Sequence, residues 1–172
     1  MERGNVYIYA GDGRGKSPAA IGRAVQTAVA GGRVVLIQFL KGRGLEDSEF
    51  LRRLEPEIKL FRFEKSDENF EELSEERKQE EIGNIRNGIS FAKKVLGTGE
   101  CDLLILDEVL GLEEKGILQA EDLKNLLECR GATDVILTGI RLSDEVCRLG
   151  DEVSRIETVK FKAGQQIGRE DG

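Results

Sequence analysis

Apolar residues fall into two alternating rhythms along this chain. Short apolar runs cover Asn5 to Tyr9, Val34 to Leu40, Asp102 to Glu108 and Asp134 to Leu137 with Thr138-Gly139 behind it, Ile58 to Phe63 interleaves apolar and basic residues, and the more polar Glu152 to Val159 closes the series. Runs of this length predict strands, and the denser ones predict strands covered on both faces. Between them, apolar positions recur at helical spacing over Ser17 to Ala30, Glu46 to Leu54, a stretch starting at Ser74 and ending near Gly97, Gln119 to Leu127 and Ser143 to Leu149. Helix boundaries are marked by Gly31-Gly32, by Pro56, and by Ser74 as N-cap with Glu75 and Glu76 in the first turn. Small residues on the first helix, Gly22 among them, suit close packing on a sheet. Strand and helix alternate with no internal repeat and no linker. That alternation predicts an α/β fold, a three-layer sandwich around a mostly parallel central sheet, with residues 1–172 in a single domain.

The first strand runs into Ala10-Gly11-Asp12-Gly13-Arg14-Gly15-Lys16-Ser17. A glycine-rich turn between a strand and a helix can wrap backbone N–H groups around phosphate oxygens, aided by the helix N-terminus. In the pattern G-x-x-x-x-G-K-[ST] the lysine reaches phosphate oxygens and the hydroxyl binds magnesium, roles that fall to Lys16 and Ser17. Two positions depart from it: Ala10 stands for the first glycine, and Pro18 has no N–H to offer a phosphate. Proline is nevertheless accepted in a helix's first turn. The loop is expected to bind nucleotide in a P-loop NTPase-like fold.

The run ending in Leu106-Asp107-Glu108 is the second chemical signature. A buried strand of this kind lifts two carboxylates to its C-terminal edge, where they can hold magnesium or its waters. Together with the phosphate loop some 90 residues earlier it makes a Walker-type pair. Ligands of α/β sheets bind beyond the carboxyl ends of the strands, which is expected to bring Gln38, Lys41 and Arg43 near the loop. An ordinary solvated-loop reading of these three stands beside the functional one.

Composition narrows the chemistry. The chain has 172 residues, 39% hydrophobic and 34% charged, and a formal charge of −7. No apolar run approaches the roughly 18 residues that span a bilayer. Met1 to Gly4 leads into a strand without a signal-peptide core, so a cytoplasmic protein is expected. Between Glu64 and Glu81 nine acidic residues face only Lys65, Arg77 and Lys78, which predicts a solvated loop and helix start. An acidic chain with no basic stripe argues against a nucleic-acid partner. Cys101, Cys129 and Cys147 are odd in number and widely spaced, so they predict buried thiols, not disulfides or a zinc site. The chain has no histidine. Without the commonest general base, its chemistry has to rest on positioning, charge and a hard cation.

These motifs resemble the ATP:cob(I)alamin (corrinoid) adenosyltransferases of the P-loop type over nearly the whole chain. The resemblance is carried by Gly11 to Ser17, Gln38-Phe39-Leu40-Lys41-Gly42, Leu106-Asp107-Glu108, Thr138-Gly139, Asp151-Glu152-Val153-Ser154 and Ala163-Gly164-Gln165-Gln166-Ile167-Gly168. It implies transfer of the 5′-deoxyadenosyl group of ATP to the cobalt of a reduced corrinoid, with triphosphate released and magnesium as cofactor, by a homodimer. Neither step of that reaction moves a proton, which suits a chain without histidine. The resemblance makes Lys16 and Glu108 catalytic. It gives ATP to Gly11, Asp12, Gly13, Arg14, Gly15, Lys16, Ser17 and Arg141, in an orientation reversed from ordinary NTPases. Phe70, Gln38 and Lys41 take the corrinoid, and Ser17, Asp107 and Glu108 the metal.

Several positions depart from the family's pattern. Pro18 replaces a second threonine, Gln26 an arginine, Ile140 the arginine after Thr-Gly, and Arg155 a glutamate. The family's aromatic-rich corrinoid stretch is here Glu64-Lys65-Ser66-Asp67-Glu68-Asn69-Phe70, with Phe70 its only aromatic, and the chain has no tryptophan. The alternatives are a diverged nucleotide-binding protein or slow ATPase without corrinoid activity, and a noncatalytic corrinoid carrier.

Overall fold

A computed structural model describes residues 2–40 and 52–162. Six strands form one sheet in the order β3-β2-β4-β5-β1-β6, and every neighbouring pair is parallel. They are β1 (Val6–Ala10), β2 (Val34–Gln38), β3 (Ile58–Arg62), β4 (Leu103–Asp107), β5 (Asp134–Gly139) and β6 (Glu152–Arg155). The helices lying wholly within the described residues are α1 (Lys16–Val29), α2 (Glu75–Thr98), α3 (Val109–Glu114), α4 (Ala120–Glu128) and α5 (Asp144–Cys147), with a short 3-10 turn at Phe70–Glu72. This is the α/β sandwich expected from the alternation.

Alternate residues of the inner strands feed two cores, as a pleated sheet covered on both faces requires, while edge strand β6 contributes to neither. One face packs Tyr9, Val34, Leu36, Leu103, Ile105 and Ile136 against Ala20 and Ala24 of α1. Small residues let this single helix lie close. The opposite face packs Val35, Ile37, Phe39, Leu104, Leu106 and Leu137 against α2, α3 and α4.

The order places β5 between β1 and β4. The phosphate loop after β1 and the acidic end of β4 are therefore separated by one strand, whose last residues are Thr138 and Gly139. All three ends open on the same edge because the strands are parallel.

Several boundaries differ from expectation for identifiable reasons. Strand β2 stops at Gln38 because Leu40 turns left-handed at φ 56. Strand β6 stops at Arg155 because the carbonyl of Ile156 turns to accept the N–H of Gly13 at 2.9 Å. Helix α2 is capped by Ser74 as expected, yet ends at Gly99, left-handed at φ 65, and not at Gly97. Helix α5 is four residues long, shorter than the stretch to Leu149. Gly22 is exposed and would meet nothing within 4 Å as alanine, so it makes no close contact with the sheet. Helix α3, which the pattern did not mark, follows β4 directly. The helix expected at Glu46 to Leu54 falls largely outside the described residues, as does the tail from Ala163.

Candidate functional site

The loop between β1 and α1 is shaped by close backbone approach. Gly11 has φ 121, and a Cβ there would come within 2.4 Å of the Ile156 carbonyl; at Gly13 the distance would be 2.5 Å. Glycine is required at both positions. The N–H of Arg14 donates to Thr158 Oγ1 at 2.8 Å, and its guanidinium lies 3.4 Å over the Phe161 ring. Residues 156–161 thus form one wall of the loop, a contact the sequence did not announce. Gly15 caps α1, Asp12 is exposed, and Pro18 sits in the helix's first turn without breaking it, since the N–H of Ala19 reaches Gly15 O at 2.9 Å.

Lys16 is buried, 9% exposed, and its ammonium donates to Gly13 O at 2.7 Å. The lysine is folded back over the loop, which holds its charge where phosphate oxygens would lie.

The next turn of chemistry is a hydroxyl-carboxylate cluster. Ser17 Oγ donates to Asp107 Oδ1 at 2.8 Å, and Thr138 Oγ1 donates to the same oxygen at 2.7 Å. Thr138 Oγ1 also accepts the Glu108 N–H at 2.8 Å. One threonine on the intervening strand therefore ties Asp107, the last residue of β4, to Glu108, the N-cap of α3. Asp107 and Thr138 are buried, 2% and 0% exposed. Glu108 adopts φ 63, ψ 17 as the N-cap of α3. Such a conformation costs a non-glycine residue about 1–3 kcal/mol and is held only where the surroundings over-determine it. Gly139 makes room for α3, because a Cβ there would lie 2.3 Å from Leu110 Cβ.

Gln38 ends β2 in register with Asp107 and is 3% exposed. Its Oε1 makes no hydrogen bond among the described residues. A buried orphan acceptor costs about 1–3 kcal/mol.

The remaining predicted site residues lie further out. Arg141 is 79% exposed and pairs with Glu114 at the end of α3, 3.3 Å away. Phe70 is half-buried, with the Lys78 ammonium 6.0 Å from its ring. Its neighbour Glu71 pairs with Lys115, just past α3. The Phe70 segment is thus tied to the α2–α3 side of the sheet. Lys41 and Arg43 lie outside the described residues.

The acidic run is not simply solvated. Glu81 is 6% exposed and accepts from the Lys65 N–H at 3.1 Å and from Asn84 Nδ2 at 3.0 Å. Glu64 accepts the Leu40 N–H at 2.7 Å, so it braces the turn after β2. Burial pushes its pKa up, the Leu40 amide works against that, and the Glu81 charge adds to it. Of the three cysteines only Cys101 is buried, and burial raises its pKa to about 11; Cys129 and Cys147 are half-buried.

The donors fit a magnesium ion. Ser17, Asp107 and Glu108 supply hard oxygens, and magnesium usually takes one or two carboxylates with substrate phosphates and water, not a protein cage. Among the described residues no group of three or more metal-ligating side chains forms such a cage. No helix among them is long and apolar enough to cross a membrane.

A family model described as ATP:corrinoid adenosyltransferase BtuR/CobO/CobP matches residues 2–172. The corrinoid adenosyltransferase of Escherichia coli (strain K12) is 29% identical over 97% of this chain and 85% of its own length. That of Pseudomonas aeruginosa is 28% identical over 95% and 80%. Corrinoid adenosyltransferase CobA of Salmonella typhimurium is 29% identical over 95% and 82%. Among solved structures, a DNA replication initiation factor superposes with a TM-score of 0.45 at 18% identity, over 98% of this chain and 44% of that one, too distant a likeness to bear on function.

Proposed function

The chain belongs to the ATP:corrinoid adenosyltransferase family BtuR/CobO/CobP, and from that premise we propose that its phosphate loop and the Ser17–Asp107–Thr138 cluster hold the ATP from which it adenosylates a corrinoid. ATP and the corrinoid are the substrates. Reduced Co(I) attacks the 5′ carbon, a cobalt–carbon bond forms with the cobalt's electron pair, and the C5′–O bond breaks with its pair leaving on triphosphate. No proton is moved, so the absence of histidine costs nothing.

The observation that carries this reading is the cluster in which one Asp107 oxygen receives both Ser17 and Thr138 beside the loop lysine. Lys16, Arg14 and the amides of Asp12 and Gly15 would surround triphosphate, the positive charges offsetting the charge left on it, while the Gly11 and Gly13 amides are taken by the carbonyls of Gly139, Ile140 and Ile156 and shape the loop without donating to phosphate. Ser17 would offer its hydroxyl oxygen to magnesium while its O–H goes on donating to Asp107, with Glu108 beside them. Bound magnesium supplies charge neutralisation for the leaving triphosphate. Arg141 joins the phosphates by leaving Glu114. Lys41 and Phe70 take the corrinoid. The working protein is a cytoplasmic homodimer of single-domain chains.

Site-directed variants test the assignment. Ser17→Ala is expected to weaken magnesium-dependent ATP binding, measured by calorimetry, and to leave binding of reduced cobalamin intact. Phe70→Ala should harm corrinoid turnover far more than ATP binding. Equal effects of Phe70→Ala on both substrates would sink its corrinoid role, and unchanged ATP binding in Ser17→Ala would remove the cluster from the nucleotide site.

A further inference from the structure

Gln38 stands apart from the corrinoid residues with which its motif groups it. Residues Val34 and Leu36 of β2, Leu103 and Ile105 of β4, and Ile136 of β5 all lie in the α1-side core. With side chains alternating along each strand, Gln38, Asp107 and Thr138 continue those three rows on the α1 face. Register partners on adjacent strands are about 4.8 Å apart, and Gln38 is the partner of Asp107. The Phe70 segment is tied instead through Glu71 and Lys115 to the opposite layer.

Within that polar row Thr138 and Ser17 both donate to one Asp107 oxygen, Oδ1. Gln38 Oε1 is a buried acceptor without a donor among the described residues. Phosphate oxygens cannot fill the need, since ionised phosphate only accepts. A water on a bound cation can, because the cation polarises its protons and aligns them outward. We propose that Gln38 is a positioning residue of the nucleotide site, its Oε1 accepting a hydrogen bond from a water of the magnesium ion held by Ser17, Asp107 and Glu108. This rests on the reading of the site given above. A corrinoid side-chain amide is the competing donor, and the test separates the two.

The experiment titrates Mn2+ into the protein with saturating ATP, followed by electron paramagnetic resonance, for wild type, Gln38→Met and Gln38→Glu. Methionine keeps the length of the side chain and removes the acceptor, while glutamate keeps the acceptor. Loss of an outer hydrogen bond to a metal site typically costs about 10–100-fold in metal affinity. That loss is expected for Gln38→Met, with ATP affinity in excess chelator unchanged, reduced cobalamin binding unchanged, and Mn2+ affinity kept or tightened in Gln38→Glu. Unchanged Mn2+ affinity in Gln38→Met would overturn the proposal. So would an equal loss of ATP affinity with and without metal, or a loss confined to cobalamin binding. If Gln38→Met does not fold, weakened Mn2+ binding in Gln38→Glu overturns it alone. A wild type that binds no ATP with Mn2+ would instead fail the site assignment.

Discussion

Gly139→Ala is expected to destabilise the protein and loosen the metal side of the site together. The added methyl carbon would sit 2.3 Å from Leu110 Cβ, 3.0 Å from its Cγ and 3.2 Å from its Cα. Carbon atoms rest at about 3.5–4.0 Å, so α3 must retreat from β5 by more than 1 Å. Leu110 is 1% exposed and its Cα belongs to the helix backbone, so no side-chain rotation relieves the clash. Overpacking of this kind costs about 1–3 kcal/mol. For a chain of this size each kcal/mol lowers the melting temperature by about 2–4 °C, so Tm should fall by several degrees. Leu110 is two residues from Glu108, whose left-handed backbone and N–H bond to Thr138 depend on where α3 begins. Magnesium-dependent ATP binding should therefore weaken as well. Thermal unfolding and ATP calorimetry with and without magnesium measure both. A variant melting within about 1 °C of wild type would show that α3 is not held against β5 as described, and the coupling to Glu108 would fall with it.

Other expectations follow from the same contacts. Gly22→Ala, on an exposed position of α1 with nothing within 4 Å, should raise stability by about 0.8–1 kcal/mol, and a lower Tm would mean Gly22 has an unseen contact. Lys16→Ala should weaken ATP binding about 10–100-fold, since hydrogen bonds to charged groups are worth about 1.5–3 kcal/mol, and unchanged affinity by calorimetry would contradict the loop assignment. Glu64 has its pKa raised by burial, so the folded state binds its proton more tightly and loses stability as pH rises through that pKa. Glu64→Gln should therefore melt higher than wild type at pH 7 to 8, with the gap closing below the ordinary value of 4.5; a gap that widens in acid would reverse the sign. In native protein at pH 8, a thiol reagent should modify Cys129 and Cys147 and spare Cys101, whose pKa is about 11; rapid reaction of all three would contradict its burial.

The features legible in the sequence are those written locally. Strand β4 announced itself because Leu103 to Leu106 are apolar on both faces and two acids follow. The loop announced itself through glycines that the structure needs for close approach to Ile156. What stayed hidden depends on neighbours distant in the chain. Thr138 bridges Asp107 and the Glu108 amide only because β5 inserts between β1 and β4. Glu64 and Glu81 sit in a run that looks solvated, yet each accepts backbone N–H groups from a turn brought to it by the fold. Helix α3 has no capping signal, because a left-handed glutamate starts it.

The most direct test of the account counts products. Purified protein is incubated anaerobically with chemically reduced cobalamin, ATP and magnesium, with the light-sensitive adenosylated corrinoid followed by absorbance and the phosphate products by phosphorus NMR. One triphosphate per cobalt–carbon bond, with neither signal in Lys16→Ala, is the expected result. Phosphate or diphosphate released without a light-sensitive corrinoid would contradict it.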